Sequence, residues 1–406
     1  ACLDYAARAG QHARLVVLTA GVGALLRHDG PWTSAITRHA AAVSAARHLG
    51  DRPGHAGALH HLGIARRLTG DFSGAAAALD EALSIFGDLG DRHGQAGVLH
   101  DLGVVRYSTS DNAGAAAVLE EALGIFGGLG DRHGQAGALR VLGDVRRMSG
   151  DYPGAARALE EALGIFGGLG DRHGQAGALG YLGDVRRMSG DYPGAARALE
   201  EALGIFGGLG DRPGQASVLL SLGATRQATA DRPGAARALE EALGIYRDLS
   251  SRLGKAIALG YLGPVRRLTG DYPGAARALE EALGIFRDLG DRGAQAEVQN
   301  ETGELHRARG DPGRARDCHR QALDLAREIG GSWSEAHALA GLGRCALAAG
   351  DTAGAAAGLR QAREIFDRIG AAEAADIAAE LDALSRTGPA GTESPVHVPL
   401  RSASAR

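Results

Sequence analysis

An all-α solenoid is the fold class that the sequence predicts: about nine stacked helix-turn-helix units of 40 residues, closed by one capping helix. Three observations carry this. Asp-Arg recurs at Asp51, Asp91, Asp131, Asp171, Asp211 and Asp291, a period of 40, and a fixed period in this range marks stacked supersecondary units. Each unit holds two helical periodicities separated by a turn signal. Neither helix has anything to cover its apolar stripe except the next unit.

Residues 171–210 are the clearest unit, and residues 131–170 differ from them only where Arg140-Val141 become Gly180-Tyr181. In the first half Ala176, Leu179, Leu182 and Gly183 recur at helical spacing, with Gln175, Asp184 and Arg187 between them. Asp171 is the expected N-cap, and Gly190 with Asp191 marks the stop and the turn. Pro193 suits the first turn of a second helix, where its missing N–H costs nothing. There Ala195, Leu199, Ala202, Leu203 and Phe206 form an apolar stripe. Arg197 lies opposite, with Glu200 and Glu201 expected as its solvated partners.

Along the chain, residues 1–10 read as the end of a preceding helix and 11–50 as a degenerate first unit, with Gly23 in the Gly183 slot and Pro31-Trp32 in the Asp191-Tyr192 slot. Eight units of 40 residues fill 51–370. Residues 371–386, with Ile377, Leu381 and Leu384, read as a capping helix. Residues 387–406 have no periodicity and little to bury, the signature of a disordered tail. Position 1 is Ala rather than Met, which predicts a piece of a longer polypeptide or a processed start. The second helices of the middle units end in Gly127-Gly128, Gly167-Gly168 and Gly207-Gly208, where later units have Arg247-Asp248 and Arg287-Asp288. Glycine costs about 1 kcal/mol against alanine inside a helix, so those ends are expected to fray or stop early.

Aromatics are 4% of the chain while hydrophobics are 45%, so the core has to be built from alanine and leucine. A net charge of −4 over 406 residues makes no general case for nucleic acid or membrane binding. Lys255 is the only lysine, so nearly all positive charge is guanidinium, which favours bidentate pairing. Cys2, Cys318 and Cys345 are odd in number and lack disulfide or metal spacing, consistent with buried thiols in a reducing, cytoplasmic setting. The apolar run at 15–26 is too short to span a bilayer.

The unit resembles the tetratricopeptide repeat. Its pattern W-x2-L-G-x2-Y, A-x3-F, P falls on Leu179, Leu182-Gly183, Arg186, Ala195, Leu199 and Gly207. Leu182-Gly183 and Ala195 match directly, while Arg186 and Gly207 depart. At 40 residues the unit is longer than the usual repeat of about 34, which implies a longer second helix. The resemblance implies a right-handed solenoid with a concave groove. Arg66, Arg106, Arg146, Arg186, Arg226 and Arg266 share the slot where the family has Tyr, and are expected to snorkel over alanine-rich packing. Arg67, Arg147, Arg187, Arg267 and Arg307 share the next slot, which in the family faces the groove. These five are the expected partner-binding residues, with Tyr181 and Tyr261 as aromatic anchors. Asp144, Asp184 and Glu304 stand three residues before Arg147, Arg187 and Arg307 and compete for them.

Nearly the whole chain also resembles the C-terminal arrays of bacterial NB-ARC/STAND-type regulators, in the unit GDR-x-G-x-A … L-x-x-LG … G-D-Y … A-L-x-I-F, the opening LLRHDGPWTSAITRHAAAVSAARHLGD and the closing IFDRIGAAEAADIAAELDAL. It implies a sensor or regulatory arm of a larger signalling protein. The switch itself is absent, for no G-x-x-x-x-G-K-[ST] occurs. No catalytic motif stands in a suitable setting, so the expectation is a non-catalytic, cofactor-free protein–protein interaction scaffold. Its ligand is expected to be a protein or an acidic peptide. A groove that senses a peptide or small molecule and a free-standing adaptor or self-assembly module stay open. His60, His61 and His100 with Asp101 are the best metal suspects, but a closed ligand set is not evident and no metal is expected. His93, His133 and His173 follow from the period alone.

Overall fold

The computed structural model describes residues 9–21, 32–371 and 373–387. These form nineteen helices and no strand. They fall into two compact units, Ala1–Ile245 and Tyr246–Arg406. The expectations for residues 1–8, for Gly23 and Pro31, and for the tail from 388 on lie outside the described residues.

The first unit holds α1 (His12–Gly21), α2 (Trp32–Leu49), α3 (Arg52–Leu68), α4 (Phe72–Leu89), α5 (Arg92–Ser108), α6 (Asn112–Leu129), α7 (Arg132–Met148), α8 (Tyr152–Leu169), α9 (Arg172–Met188), α10 (Tyr192–Leu209), α11 (Arg212–Ala228) and most of α12 (Arg232–Asp248). The second holds α13 (Arg252–Leu268), α14 (Tyr272–Leu289), α15 (Arg292–Ala308), α16 (Pro312–Ile329), α17 (Ser332–Ala348), α18 (Thr352–Arg368) and α19 (Glu373–Thr387). Within each unit the chain is an α-solenoid: a helix packs on its partner in the repeat and on the first helix of the next.

Most helix starts repeat one device every 20 residues, the pattern Asp-x-x-Gly, unbroken from Asp51 to Gly234. Asp171 caps α9 by accepting from Gly174 N at 2.8 Å, and Asp191 caps α10 by accepting from Gly194 N at 2.9 Å. That satisfies one of the orphan N–H groups at the helix end. Gly194 has to be glycine because a Cβ there would run into the Asp191 carboxylate. Helix ends repeat a second device. At the close of α8, Asp171 N donates to Phe166 O at 2.9 Å and Gly170 N to Gly167 O at 3.1 Å. Gly170 sits at φ +70°, so the turn is a Schellman motif.

This device is why the Gly-Gly helices do not fray. α6, α8 and α10 run to Leu129, Leu169 and Leu209, a full 18 residues each, as long as α14 with its Arg287-Asp288. The low propensity of Gly127-Gly128 is a local cost. The end point is set by the left-handed glycine and by the phenylalanine one turn earlier, which is locked in the core.

In each of the four repeats from residue 91 to residue 250 two glycines, one of them the cap glycine of the first helix, act as sockets. A Cβ at Gly183 would lie 2.5 Å from Leu199 Cγ, so the fully buried Leu199 sits directly on the α9 backbone. A Cβ at Gly174 would collide with the ring of Phe166, which belongs to the preceding repeat. The first socket closes a repeat and the second stacks it on its neighbour. Around them Ala176, Leu179, Ala202, Phe206, Val218 and Leu222 make a core continuous across α9, α10 and α11. In the second unit Ile377 of α19 is 2% exposed and closes the last cluster with Leu381 and Leu384.

The arginines in the tyrosine slot do more than snorkel. Arg186 donates to Gly194 O at 3.5 Å and to Glu160 at 3.2 Å, and Arg146 donates to Gly154 O at 3.4 Å and to Glu120 at 3.0 Å. Each thus ties the end of a first helix to the start of the second and to the second helix of the repeat before. This corrects the expected pairing of Arg197, which makes no ion pair among the described residues. Glu200 is engaged instead by Arg226, at 3.2 Å, because antiparallel stacking brings the next repeat closer than the neighbouring turn.

Candidate functional site

The five predicted arginines lie in the last turn of five of the first helices, and the structure treats them unequally. In the first unit Arg147 is most committed. Its Nε and NH2 donate to Asp144 Oδ1 at 2.9 and 2.6 Å, its NH1 reaches Met188 Sδ at 3.6 Å, and Asp144 is 6% exposed. Tyr107 stands in the same slot one repeat earlier. Burial, and then the charge of Asp144 and its hydrogen bond, push the Tyr107 hydroxyl well above the usual tyrosine range.

Arg187 is held more loosely, 3.7 Å from Asp184. Asp184 also accepts from Ser221 Oγ at 3.2 Å, and burial raises its carboxyl despite Arg187. The Nε of Arg187 is buried without a hydrogen-bond partner, and so is that of Arg67, where Ile64 replaces the carboxylate three residues earlier. Tyr181, half-buried, lies beneath Arg140, whose guanidinium carbon is 5.7 Å from the ring centroid. That is cation–π geometry. The unit therefore brings Arg147, Arg187, Tyr181 and Tyr107 onto one wall.

His60 is hydrogen-bonded to the Asp101 carboxylate, His100 stands at ion-pair distance from it, and His61 bonds the backbone carbonyl of Gly57. His60 Nε2 is 2.7 Å from Asp101 Oδ2, and His100 Nδ1 is 3.6 Å from Asp101 Oδ1. Burial raises Asp101, but the adjacent imidazoles of His100 and His60 outweigh it and hold the carboxyl far below its usual value. Among the described residues no group of three or more His, Cys, Asp or Glu could hold a metal ion. His93, His133 and His173 each approach the N-cap aspartate of the next repeat, at 3.3, 3.4 and 3.1 Å.

The second unit is different in kind. Pro264 takes the Asp184 slot, so Arg267 finds its carboxylate one repeat on, 3.6 Å from Glu301. Arg307 is bound to Glu304 at 2.7 Å, and Tyr261 is 41% exposed. Glu304 is also 3.6 Å from Arg344, which in turn holds Glu380 at 2.7 Å. These charges surround a repeat whose core has turned polar. His319 occupies the slot filled by leucine at 199, 239, 279 and 359, and it is 1% exposed. Its Nδ1–H donates to Asn300 Oδ1 at 3.1 Å, and Asn300 Nδ2 donates to Ser334 O at 3.0 Å. His319 Nε2 has no hydrogen-bond partner and faces Glu304 Oε1 at 3.9 Å. Gln299 and Thr302 replace the leucines of the L-x-x-L-G motif. Composition and motif searches pass over this cluster; reading column by column down the 40-residue register reveals it.

No helix among the described residues is long and apolar enough to cross a membrane. The sequence model of the tetratricopeptide repeat matches residues 15–88, 174–248, 254–328 and 295–368. No curated protein matches the chain at the level of sequence. Among solved structures, a Rap protein complexed with competence and sporulation factor is similar, with a TM-score of 0.61 and 14% identity over 91% of this chain and 97% of that one. The quorum sensor NprR of B. thuringiensis, in its apo form, gives a TM-score of 0.58 and 11% identity over 76% and 87%. A signal-transduction ATPase with numerous domains (STAND) from Pyrococcus horikoshii, with a tetratricopeptide repeat sensor, gives 0.56 and 14% over 86% of this chain. This chain spans 54% of the length of that protein. At such identities the likeness is one of fold.

Proposed function

The chain belongs to the tetratricopeptide-repeat family, and from that premise we propose that it is a non-catalytic protein–protein interaction scaffold, the sensor arm of a larger bacterial signalling protein. The observation that carries the reading is the first-helix wall of the first unit. There Arg67 and Arg187 keep a buried Nε without a partner, and the half-buried Tyr181 is carried by the same helix as Arg187. A buried guanidinium N–H without an acceptor is costly, and a bound carboxylate or peptide carbonyl relieves that cost. Arg147 is already neutralised by Asp144, so the wall offers two charged contacts and an aromatic anchor rather than an unbroken basic row. The reading is an extended peptide or protein segment with an acidic residue set at Arg187. In the second unit Arg267, Arg307 and Tyr261 are the corresponding positions. The Rap protein, complexed with a competence and sporulation factor, supports a peptide as the class of ligand, and the STAND protein with its repeat sensor supports the regulatory setting.

The test is selection of peptides from a displayed random library on the full chain, followed by affinity measurement on Arg187→Gln/Tyr181→Ala. Selected peptides are expected to lose at least about tenfold in affinity, roughly 1.4 kcal/mol, with the far-ultraviolet circular dichroism unchanged. Peptides that bind the variant as tightly as the parent place the binding surface elsewhere. Reversing Arg147 to Glu is a poor test, because it would set a second carboxylate against buried Asp144 and disturb the fold.

A further inference from the structure

A different surface of the first unit, where second helices end and first helices begin, is altered in three consecutive repeats. In the repeat at 51–90, Arg52 on the first turn of α3 clasps Asp88 near the end of α4 at 2.6 Å. The second unit repeats this clasp as Arg252–Asp288 and Arg292–Glu328, each at 2.6 Å. In the repeats at 91–130, 131–170 and 171–210 the acid is gone, and Gly128, Gly168 and Gly208 stand in its place. The arginine remains. Arg92, Arg132 and Arg172 are exposed, turn back on their own Gln95, Gln135 and Gln175 at 3.0–3.1 Å, and have no carboxylate within ion-pair distance among the described residues.

Around these three guanidiniums the other charges are already engaged. Asp131, Asp171 and Asp211 each give one oxygen to a helix N-terminus and turn the other towards His93, His133 or His173. Beside each glycine is an exposed leucine, Leu129 at 48%, Leu169 at 48% and Leu209 at 49%. A Cβ at Gly128, Gly168 or Gly208 would meet nothing within 4 Å, so the surface there is open backbone. The arrangement is a row, one repeat apart, of a guanidinium without a carboxylate, bare backbone and exposed leucine.

We propose that this edge of residues 91–210 docks an acidic, leucine-bearing amphipathic segment of a partner protein. The partner's carboxylates take the places left by the absent aspartates, where Asp88 shows that the geometry suits a short guanidinium–carboxylate contact. Its leucines cover Leu129, Leu169 and Leu209, and the glycines let its backbone approach. A surface of this charge selects an acidic partner and excludes a basic one. Three matched contacts on one segment bind together, so modest individual contacts add to a usable affinity. This surface is separate from the first-helix wall proposed above, and its test does not involve that wall.

The probe is a synthetic helical peptide with leucine on one face and glutamate on the other, alongside the same peptide with lysine for glutamate. The unaltered chain is expected to bind the glutamate peptide with a Kd of about 10–100 μM at low salt, weakening as salt rises, and to ignore the lysine peptide. Gly128→Asp/Gly168→Asp/Gly208→Asp rebuilds the clasp in open space and removes helical glycines, so it preserves the fold. It is expected to reduce affinity at least about tenfold, and Arg92→Gln/Arg132→Gln/Arg172→Gln is expected to match it. Absence of binding by the unaltered chain, equal binding of both peptides, or indifference to the rebuilt clasp would each overturn the proposal. So would sedimentation showing a dimer that the rebuilt clasp abolishes, since the occupant would then be a second copy of this chain.

Discussion

Acidification should weaken the second unit, and His319 is where the effect is sharpest. The side chain is 1% exposed, and burial, opposed by Glu304 and reinforced by Arg344, Arg307 and His337, pushes its pKa from 6.5 down to about 4. His337 is pushed down to about 4 as well, by burial and then by Arg344. A histidine with a folded pKa below its unfolded value is protonated first in the unfolded chain. Its contribution is therefore complete above about pH 6.5 and is lost as the pH falls towards 4. A shift of 6.5 − 4 = 2.5 pH units, at about 1.36 kcal/mol per unit, is an upper figure of about 3.4 kcal/mol. Linkage places about 2 kcal/mol of it between pH 7 and pH 5. Glu297 and Glu301 act in the opposite sense, because burial raises their carboxyls and their protonation favours the folded state. Comparison with His319→Leu cancels them.

Leucine fills the same slot at 279 and 359, so the variant has room. It leaves Asn300 Oδ1 without its donor, a pH-independent offset of about 1–3 kcal/mol, which makes the slope rather than the level the quantity to read. Urea unfolding followed by Trp333 fluorescence in a Trp32→Phe background reports on this unit. Circular dichroism is needed beside it, because the His337 ring lies 4.9 Å from Trp333 and its protonation alters the emission directly. The parent should lose stability between pH 7 and pH 5, and His319→Leu should lose about 2 kcal/mol less. Parallel curves for parent and variant would refute the assignment of this pH dependence to His319.

The remaining expectations concern the repeat itself. Leu199→Ala should destabilise the first unit by about 2–5 kcal/mol, since it empties the socket over Gly183, whereas Arg197→Ala should cost no more than about 0.5 kcal/mol because that side chain is exposed and makes no ion pair. Denaturant titration of both distinguishes them, and a large loss at Arg197 would mean that the second helix is wrongly faced. Deleting residues 171–210 should leave a folded, shorter array, while deleting residues 171–190 alone should disrupt it by joining two second helices. Equal damage in melting curves of the two deletions would sink the nearest-neighbour account of stability.

Much of the architecture was legible before any coordinate. The 40-residue period, the N-cap aspartates and the leucine and alanine stripes are local or periodic signals, and a solenoid is built from local contacts. The same register carried less legible information in its exceptions. His319 in a leucine column, Pro264 in the slot of Asp144 and Asp184, and Gly128 in the slot of Asp88 and Asp288 are visible only when each position is compared with its equivalents 40 residues away.

What sequence by itself determined is the set of positions that face one another inside a repeat, because helical spacing fixes them: Asp171 with Gly174, Asp144 with Arg147, Leu199 on the inner stripe. What tertiary structure decided is every partnership across repeats. Glu200 belongs to Arg226 and not to Arg197, Arg267 reaches forward to Glu301, and Phe166 fills the Gly174 socket of the next repeat. Helical period specifies direction around an axis, but the distance from one helix to the next depends on how side chains interlock. In the four repeats from residue 91 to residue 250 that interlocking rests on two glycine sockets each. They let a leucine and a phenylalanine sit directly on backbone, and so set which charged side chains come within reach of each other.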